Sequence, residues 1–232
     1  MELVFIHAII QDKHQQLTIL GVSQIVLICM QISRNPEMSA LVLVPTRELA
    51  SQVRGVIDQL VSFCGIRTAL LVGGQSMMRQ YQELGEGARI VIGTPGRVYD
   101  HVARNSLNLN AMKLIVLDET DRMLDMNFGP QVQSILERAP TDRQTLMFSA
   151  TSSSFIEDMT QQYLRDPVRV NIGSEGQKDP RIEQTAIRVS GIDYKVNALN
   201  HILDNTQGRV LVFVNVRLGA RQLAETIGHI QF

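Results

Sequence analysis

Three carboxylates within four residues, Asp118, Glu119 and Asp121, follow directly on the aliphatic run Leu114-Ile115-Val116-Leu117. A run that ends abruptly in acids is how a buried parallel strand delivers carboxylates to the rim of an open α/β sheet, where ligands bind. Hard oxygen donors there suit nucleotide hydrolysis: one carboxylate holds Mg2+ through water, and the next orients or deprotonates the attacking water. A plain helix start is the competing reading, because acids favour the first turn of a helix for reasons of its dipole. The tetrapeptide alone does not separate the two.

The elements around it carry more information. Pro45-Thr46-Arg47-Glu48-Leu49-Ala50 closes an apolar run at residues 40–44, Gly73-Gly74 closes one at 69–72, Thr94-Pro95-Gly96-Arg97 closes one at 89–92, and Ser149-Ala150-Thr151 closes one at 145–148. Each run predicts a buried strand, and a helical pattern follows each cluster. Residues 47–63 place Leu49, Val53, Val56, Ile57 and Leu60 on one helix face, and Cys64-Gly65 stops them. Helices are likewise predicted at 76–84, with Ser76 as N-cap, and at 96–104, 122–125, 130–138 and 152–163. Ser149 and Thr151 read equally as an N-cap pair for the last of these. Regular alternation of this kind means a parallel sheet covered on both faces.

A last strand is expected at 168–172, and the polar, glycine-bearing stretch that follows reads as an interdomain linker. A second α/β pattern then begins: strand 185–189, helix 194–203, strand 210–214, helix 218–230.

The order and spacing of the five polar clusters resemble the DEAD-box (DExD) family of ATP-dependent RNA helicases of bacterial type, with Thr120 where that family usually has Ala. The resemblance runs from about Ala40 to the C-terminus. It implies an α/β fold, a RecA-like parallel sheet with helices on both faces, plus the opening of a second RecA-like domain at Arg209-Val210-Leu211-Val212-Phe213-Val214-Asn215. The expected division is a divergent segment 1–39, a first RecA-like domain 40–172, a linker 173–183 and a partial second domain 184–232.

The same resemblance implies roles. Asp118 organises Mg2+ through water and Glu119 positions the hydrolytic water, which makes ATP and Mg2+ the expected cofactors. Asp121 couples to the Ser149–Thr151 loop. Pro45, Thr46, Arg47, Gly74, Thr94 and Arg97 hold one RNA strand by its phosphates, with arginine forks, a hydroxyl and a close-approaching glycine backbone. For Arg47 and Arg97 a solvated salt bridge near a helix N-terminus is the alternative, although a basic residue there opposes the dipole and favours an anionic ligand.

One family element is missing. Upstream of Pro45 a Gly-x-x-x-x-Gly-Lys-Thr loop would cradle the nucleotide phosphates. The chain has one glycine, Gly21, in the expected region and no lysine between Lys13 and Arg34. The arginine-bearing motifs of the second domain are expected beyond Phe232. The reading is therefore a DEAD-box-type ATP-dependent RNA helicase by family, catalytically impaired as this chain; the alternative is a non-catalytic RNA- or partner-binding remnant. Two origins fit residues 1–39, a reading-frame slip in an ancestral gene corrected just before Ala40 or an unusual gene model of a decayed helicase. Residues 3–10, apolar and β-branched, offer a strand in place of the one that normally leads into the phosphate loop.

Composition narrows the partners. The net charge of −1 excludes a global basic field, so RNA contacts must be local. No tryptophan and few aromatics mean grip on the sugar-phosphate backbone without base stacking, hence no sequence preference and no DNA specificity. Ribosome-assembly or RNA-decay proteins are the partners that the resemblance implies. Cys29 and Cys64 have no metal-ligand spacing and read as buried hydrophobes of a reducing compartment, and no signal peptide or membrane span is recognised, so the expected location is cytoplasmic.

Overall fold

The computed structural model of the chain describes residues 2–6, 22–171 and 185–227. They fall into two compact units, residues 1–177 and 178–232. The linker expected at 173–183 and the stretch 7–21 lie outside the described residues.

In the first unit β1 (Glu2–Ile6), α1 (Val22–Arg34), β2 (Ser39–Leu43), α2 (Arg47–Val61), β3 (Thr68–Leu71), α3 (Met77–Gly85), β4 (Ile90–Gly93) and α4 (Pro95–Ala103) come first. They are followed by β5 (Met112–Leu117), α5 (Thr120–Asp125), α6 (Gly129–Arg138), β6 (Gln144–Ser149), α7 (Ser154–Tyr163) and β7 (Pro167–Asn171). The strands form one seven-stranded sheet in the order β3-β4-β2-β5-β6-β1-β7. Every pairing is parallel. All strands therefore end on the same edge, and the five polar clusters line up along it. The strand expected near residues 3–10 is β1, which inserts between β6 and β7.

Strand side chains alternate between two cores, as the period of two demands. Leu41, Leu43, Ile115 and Leu117 face Val98, Val132, Ile135 and Ile156 of α4, α6 and α7. Ala40, Val42, Val44, Leu114 and Val116 face Ile28 and Ile32 of α1 and Val53 and Ile57 of α2. Complete burial of such aliphatics, at ~1.5–3 kcal/mol each, makes the sheet a stiff mount for the loops at its edge. Arg89, at the entry to β4, donates to the carbonyls of Ile32, Asn35 and Met38, so one guanidinium caps the C-terminal end of α1 and fixes it to the sheet.

The second unit departs from expectation. Its helices form, α8 (Ile192–Asn205) and α9 (Arg217–Ile227). The strands expected at 185–189 and 210–214 do not: both stretches lack strand structure, and Leu211 and Phe213 are 78% and 87% exposed. A β-rich sequence becomes a strand only where neighbours take up its backbone hydrogen bonds, and no such neighbour is present among the described residues of this unit. Among the described residues no helix is long and apolar enough to cross a membrane.

Candidate functional site

The edge of the sheet divides into two halves. Loops after β3, β4 and β2, three adjacent strands, carry the arginines and the glycine pair. Loops after β5 and β6, the next two, carry the acids and Ser149-Ala150-Thr151.

On the acidic half, the backbone N–H of Asp118 donates to Leu43 O, so the β-ladder still holds the chain as it leaves β5. Asp118 is fully buried and accepts the Glu119 N–H at its own Oδ1, 2.9 Å away. Glu119 then takes a left-handed conformation, φ 49° and ψ 50°, and α5 begins at the next residue. That conformation costs a non-glycine residue ~1–2 kcal/mol, and it turns the chain from strand to helix in one step. The Glu119 carboxylate meets Arg122 Nη1 at 3.2 Å.

Thr120 explains itself once placed. It is buried and its hydroxyl lies 3.0 Å from Phe148 O, tying the acidic turn to the end of β6. Beside it Asp121 Oδ2 accepts from Thr151 Oγ1 at 3.1 Å, and Ser149 Oγ donates to Thr151 O at 2.8 Å. The structure thus brings Asp121 and the Ser149–Thr151 loop together. It also overturns the capping alternative for Ser149 and Thr151: the N-cap of α7 is Ser153, whose side chain accepts from Ile156 N. A chain still finishing β6 at Ser149 is too early to cap a helix that starts at Ser154.

On the basic half, Gly74 has φ +75°, and a Cβ there would overlap the Arg47 guanidinium. A Cβ on Gly73 would stand 3.3 Å from Arg47 Nη2. The arginine therefore lies flat against the bare backbone of the glycine pair, an approach no larger residue permits. Among the described residues Arg47 makes no salt bridge, so the ion-pair alternative fails for it. Arg97 has one loose partner, Asp100 at 3.9 Å, and its Nη1 is held by Gln75 O and Gln80 Oε1, each at 3.2 Å. Pro45 and Thr94 are buried at the strand ends. Thr46 serves as the N-cap of α2, its Oγ1 accepting from Leu49 N at 3.2 Å, whereas the Thr94 hydroxyl makes no such cap on α4. Ser76 occupies the N-cap position of α3 without the expected side-chain bond.

Gln80 went unnoticed in the sequence. It lies on the apolar stripe of α3 beside Met77 and Leu84, and a polar amide on such a stripe is the signal that could have found it. Cys29 is buried, which pushes its thiol up to about 11, but Cys64 is exposed, against expectation, because it sits past the end of α2.

The family model that matches is "DEAD/DEAH box helicase", over residues 13–159. That is more than half of the chain. The chain belongs to the DEAD/DEAH box helicase family. It is 38% identical over 187 residues to the ATP-dependent rRNA helicase RRP3 of Candida albicans, which covers 80% of this chain and 35% of that protein. It is 35% identical over 195 residues to the ATP-dependent RNA helicase DeaD of Haemophilus influenzae, covering 84% of this chain and 32% of the relative. The chain thus spans about a third of the length of these DEAD-box relatives. Among solved structures, a DEAD box protein from the hyperthermophile Methanococcus jannaschii aligns over all of this chain and 60% of its own, with TM-score 0.65 and 30% identity. The yeast DEAD-box splicing factor Prp28 covers 98% of this chain and 53% of its own, with TM-score 0.66 and 28% identity. The RecA-like DEAD-box fold is shared.

Mg2+ and the phosphates of ATP differ in how well the residues of this DEAD-box chain suit them. Asp118, Glu119 and Asp121 are a hard-oxygen set at a strand end, which fits Mg2+ held through water. Among the described residues no group of three or more His, Cys, Asp and Glu side chains stands ready to hold a metal directly. The phosphates of ATP fit poorly. Between β1 and α1 the chain offers one lysine, Lys13, and one glycine, Gly21, well apart, in place of a glycine turn ending in lysine.

Proposed function

We propose that this chain is the RNA-gripping half of a DEAD-box helicase core, impaired in ATP hydrolysis. The observation that carries the reading is the seat of Arg47 on the Gly73-Gly74 backbone, with Arg97 tied to Gln75 in the same turn. Two guanidiniums converge on one glycine turn, and Gly74 leaves the room that the Arg47 guanidinium fills. Phosphates of a single RNA strand are the ligand chemistry this suits: forked donors beside an exposed turn, in a chain with few aromatics. Pro45, Thr46 and Thr94 shape the loops from below. The relatives' names, rRNA helicases among them, support RNA as partner; ribosome-assembly or RNA-decay proteins as company and the cytoplasm as location belong to the same proposal.

On the other half, Asp118 is the residue suited to hold Mg2+ through water, Glu119 to place a water, and Asp121 with Thr151 to pass the state of that site to the RNA side. Mg2+ would supply charge neutralisation at a phosphate. Hydrolysis by this chain is not expected, because the segment that should hold the phosphates lacks a glycine turn ending in lysine. The domain reading keeps 40–172 as the body of the first RecA-like domain, to which β1 and α1 add a strand and a helix, and 184–232 as the opening of the second. RNA-stimulated ATP hydrolysis tests the impairment, with Glu119→Gln as control. The expected result is no turnover above the control; turnover that Glu119→Gln abolishes overturns it.

A further inference from the structure

The geometry points to Gln80 as the positioning residue that holds Arg97 and the Gly73–Gln75 turn in one arrangement for binding a phosphate backbone; this rests on the RNA reading above. Gln80 is 1% exposed, and a buried amide is costly unless all its groups are satisfied. Here they are. Nε2 donates to Val72 O at 3.0 Å, the last carbonyl before the glycine pair. A carbonyl only accepts, so this bond fixes the amide's orientation and turns Oε1 the other way.

Oε1 then faces two donors, Arg97 Nη1 at 3.2 Å and His101 Nε2 at 3.0 Å. His101 is itself buried, with Nδ1 2.9 Å from Ser106 Oγ and its ring edge-on to Tyr81, 5.2 Å between centroids. Gln80 Oε1 can only accept, so the Nε2 that faces it carries a proton, and burial and then the neighbouring Arg97 lower the ring's pKa, which favours its neutral form. One amide thus joins the end of β3, the arginine at the head of α4 and an anchored histidine one helical turn further on.

The consequence is directional. Arg97 Nη1 is spent inside the protein, on Gln75 O and Gln80, while Nη2 makes no hydrogen bond among the described residues. Gln80 therefore decides which edge of the guanidinium is left for a ligand. Without it, Arg97 keeps its charge and its bond to Gln75 O but loses the second acceptor that sets its heading, and Val72 O loses its tie to α3.

The test is a double-mutant cycle on RNA affinity, measured by fluorescence anisotropy with a labelled single-stranded RNA and the full chain. Arg97→Ala and Gln80→Met are made singly and together. Gln80→Met should lower affinity by about fivefold to tenfold, the size of one ordinary net hydrogen bond, and should add nothing in the Arg97→Ala background. Equal losses in both backgrounds, or no loss from Gln80→Met while Arg97→Ala weakens binding, overturns the positioning role and leaves the RNA reading intact. No loss from Arg97→Ala overturns both. Should Gln80→Met not melt cooperatively, His101→Leu, which removes one anchor of the amide, carries the same cycle with a smaller drop.

Discussion

The two halves of the sheet edge are built on the same principle and for opposite charges. Around β3, β4 and β2, Arg47 and Arg97 are seated on backbone carbonyls and bare glycines, with guanidinium edges left over. Around β5 and β6, the acids are turned inward on their own loops: Asp118 on Glu119 N, Glu119 on Arg122, Asp121 on Thr151. The basic half is thus open to an anion. The acidic half is an internally bonded unit that needs a phosphate-holding neighbour to become a nucleotide site, and residues 7–21 do not have the composition for one. On the proposed function, the basic half is the one that its own residues complete.

The sharpest way to break that contrast is to remove both guanidiniums. Arg47→Ala with Arg97→Ala should weaken single-stranded RNA binding on the order of 100-fold, from ~1.5 kcal/mol per charge-assisted bond, and lower the salt slope by about two. Lys113→Ala, at the opposite end of β5 where Lys113 pairs with Asp142, should leave affinity within about twofold. If Lys113→Ala weakens binding as much as the arginine changes, the contact is diffuse charge and not a built site.

A smaller effect is expected at Gly74. Gly74→Ala meets the φ of +75° and the Arg47 guanidinium together, so it should cost ~1–2 kcal/mol in a denaturant titration and displace Arg47. RNA affinity should fall with it; an unchanged affinity would show that the seat of Arg47 is irrelevant to binding.

On the acidic half, Thr120→Val keeps the shape and removes the bond to Phe148 O. The expected loss is ~1 kcal/mol of stability, with faster amide exchange at the ends of β5 and β6. A neutral outcome would make the threonine an incidental replacement for alanine.

The smallest expected effect is on pH dependence. His101 has its pKa lowered from 6.5, chiefly by burial and then by Arg97. The unfolded chain therefore takes up a proton below about pH 6.5 that the folded chain refuses. His101 lowers stability progressively as the pH falls through that range, and has no effect above it. Chemical denaturation at pH 7.5 and 5.5 should show a drop for the wild type that His101→Leu reduces; an equal drop in both would assign it to other groups.

How much of this was legible depended on whether the deciding partners were close in sequence or only in space. The strands of the first unit were readable because continuous apolar runs such as Leu41-Val42-Leu43-Val44 are buried on both faces, and their helices because Val53 and Ile57 repeat at helical spacing. Val210-Leu211-Val212-Phe213-Val214 has the same character and forms no strand, since pairing is a property of neighbours and not of the run. Asp121 and Thr151 could be joined in advance only through family resemblance. The Gln80 bonds to Arg97 and His101 span 17 and 21 residues and have no local signature beyond one amide on an apolar helix face.

Binding of a single-stranded RNA to the purified chain, titrated with and without ATP and Mg2+, tests the central claim most directly. The account predicts binding that loosens with salt and is the same, within about twofold, whether or not nucleotide is present. No binding at all, or binding that appears only with ATP and Mg2+, would contradict it.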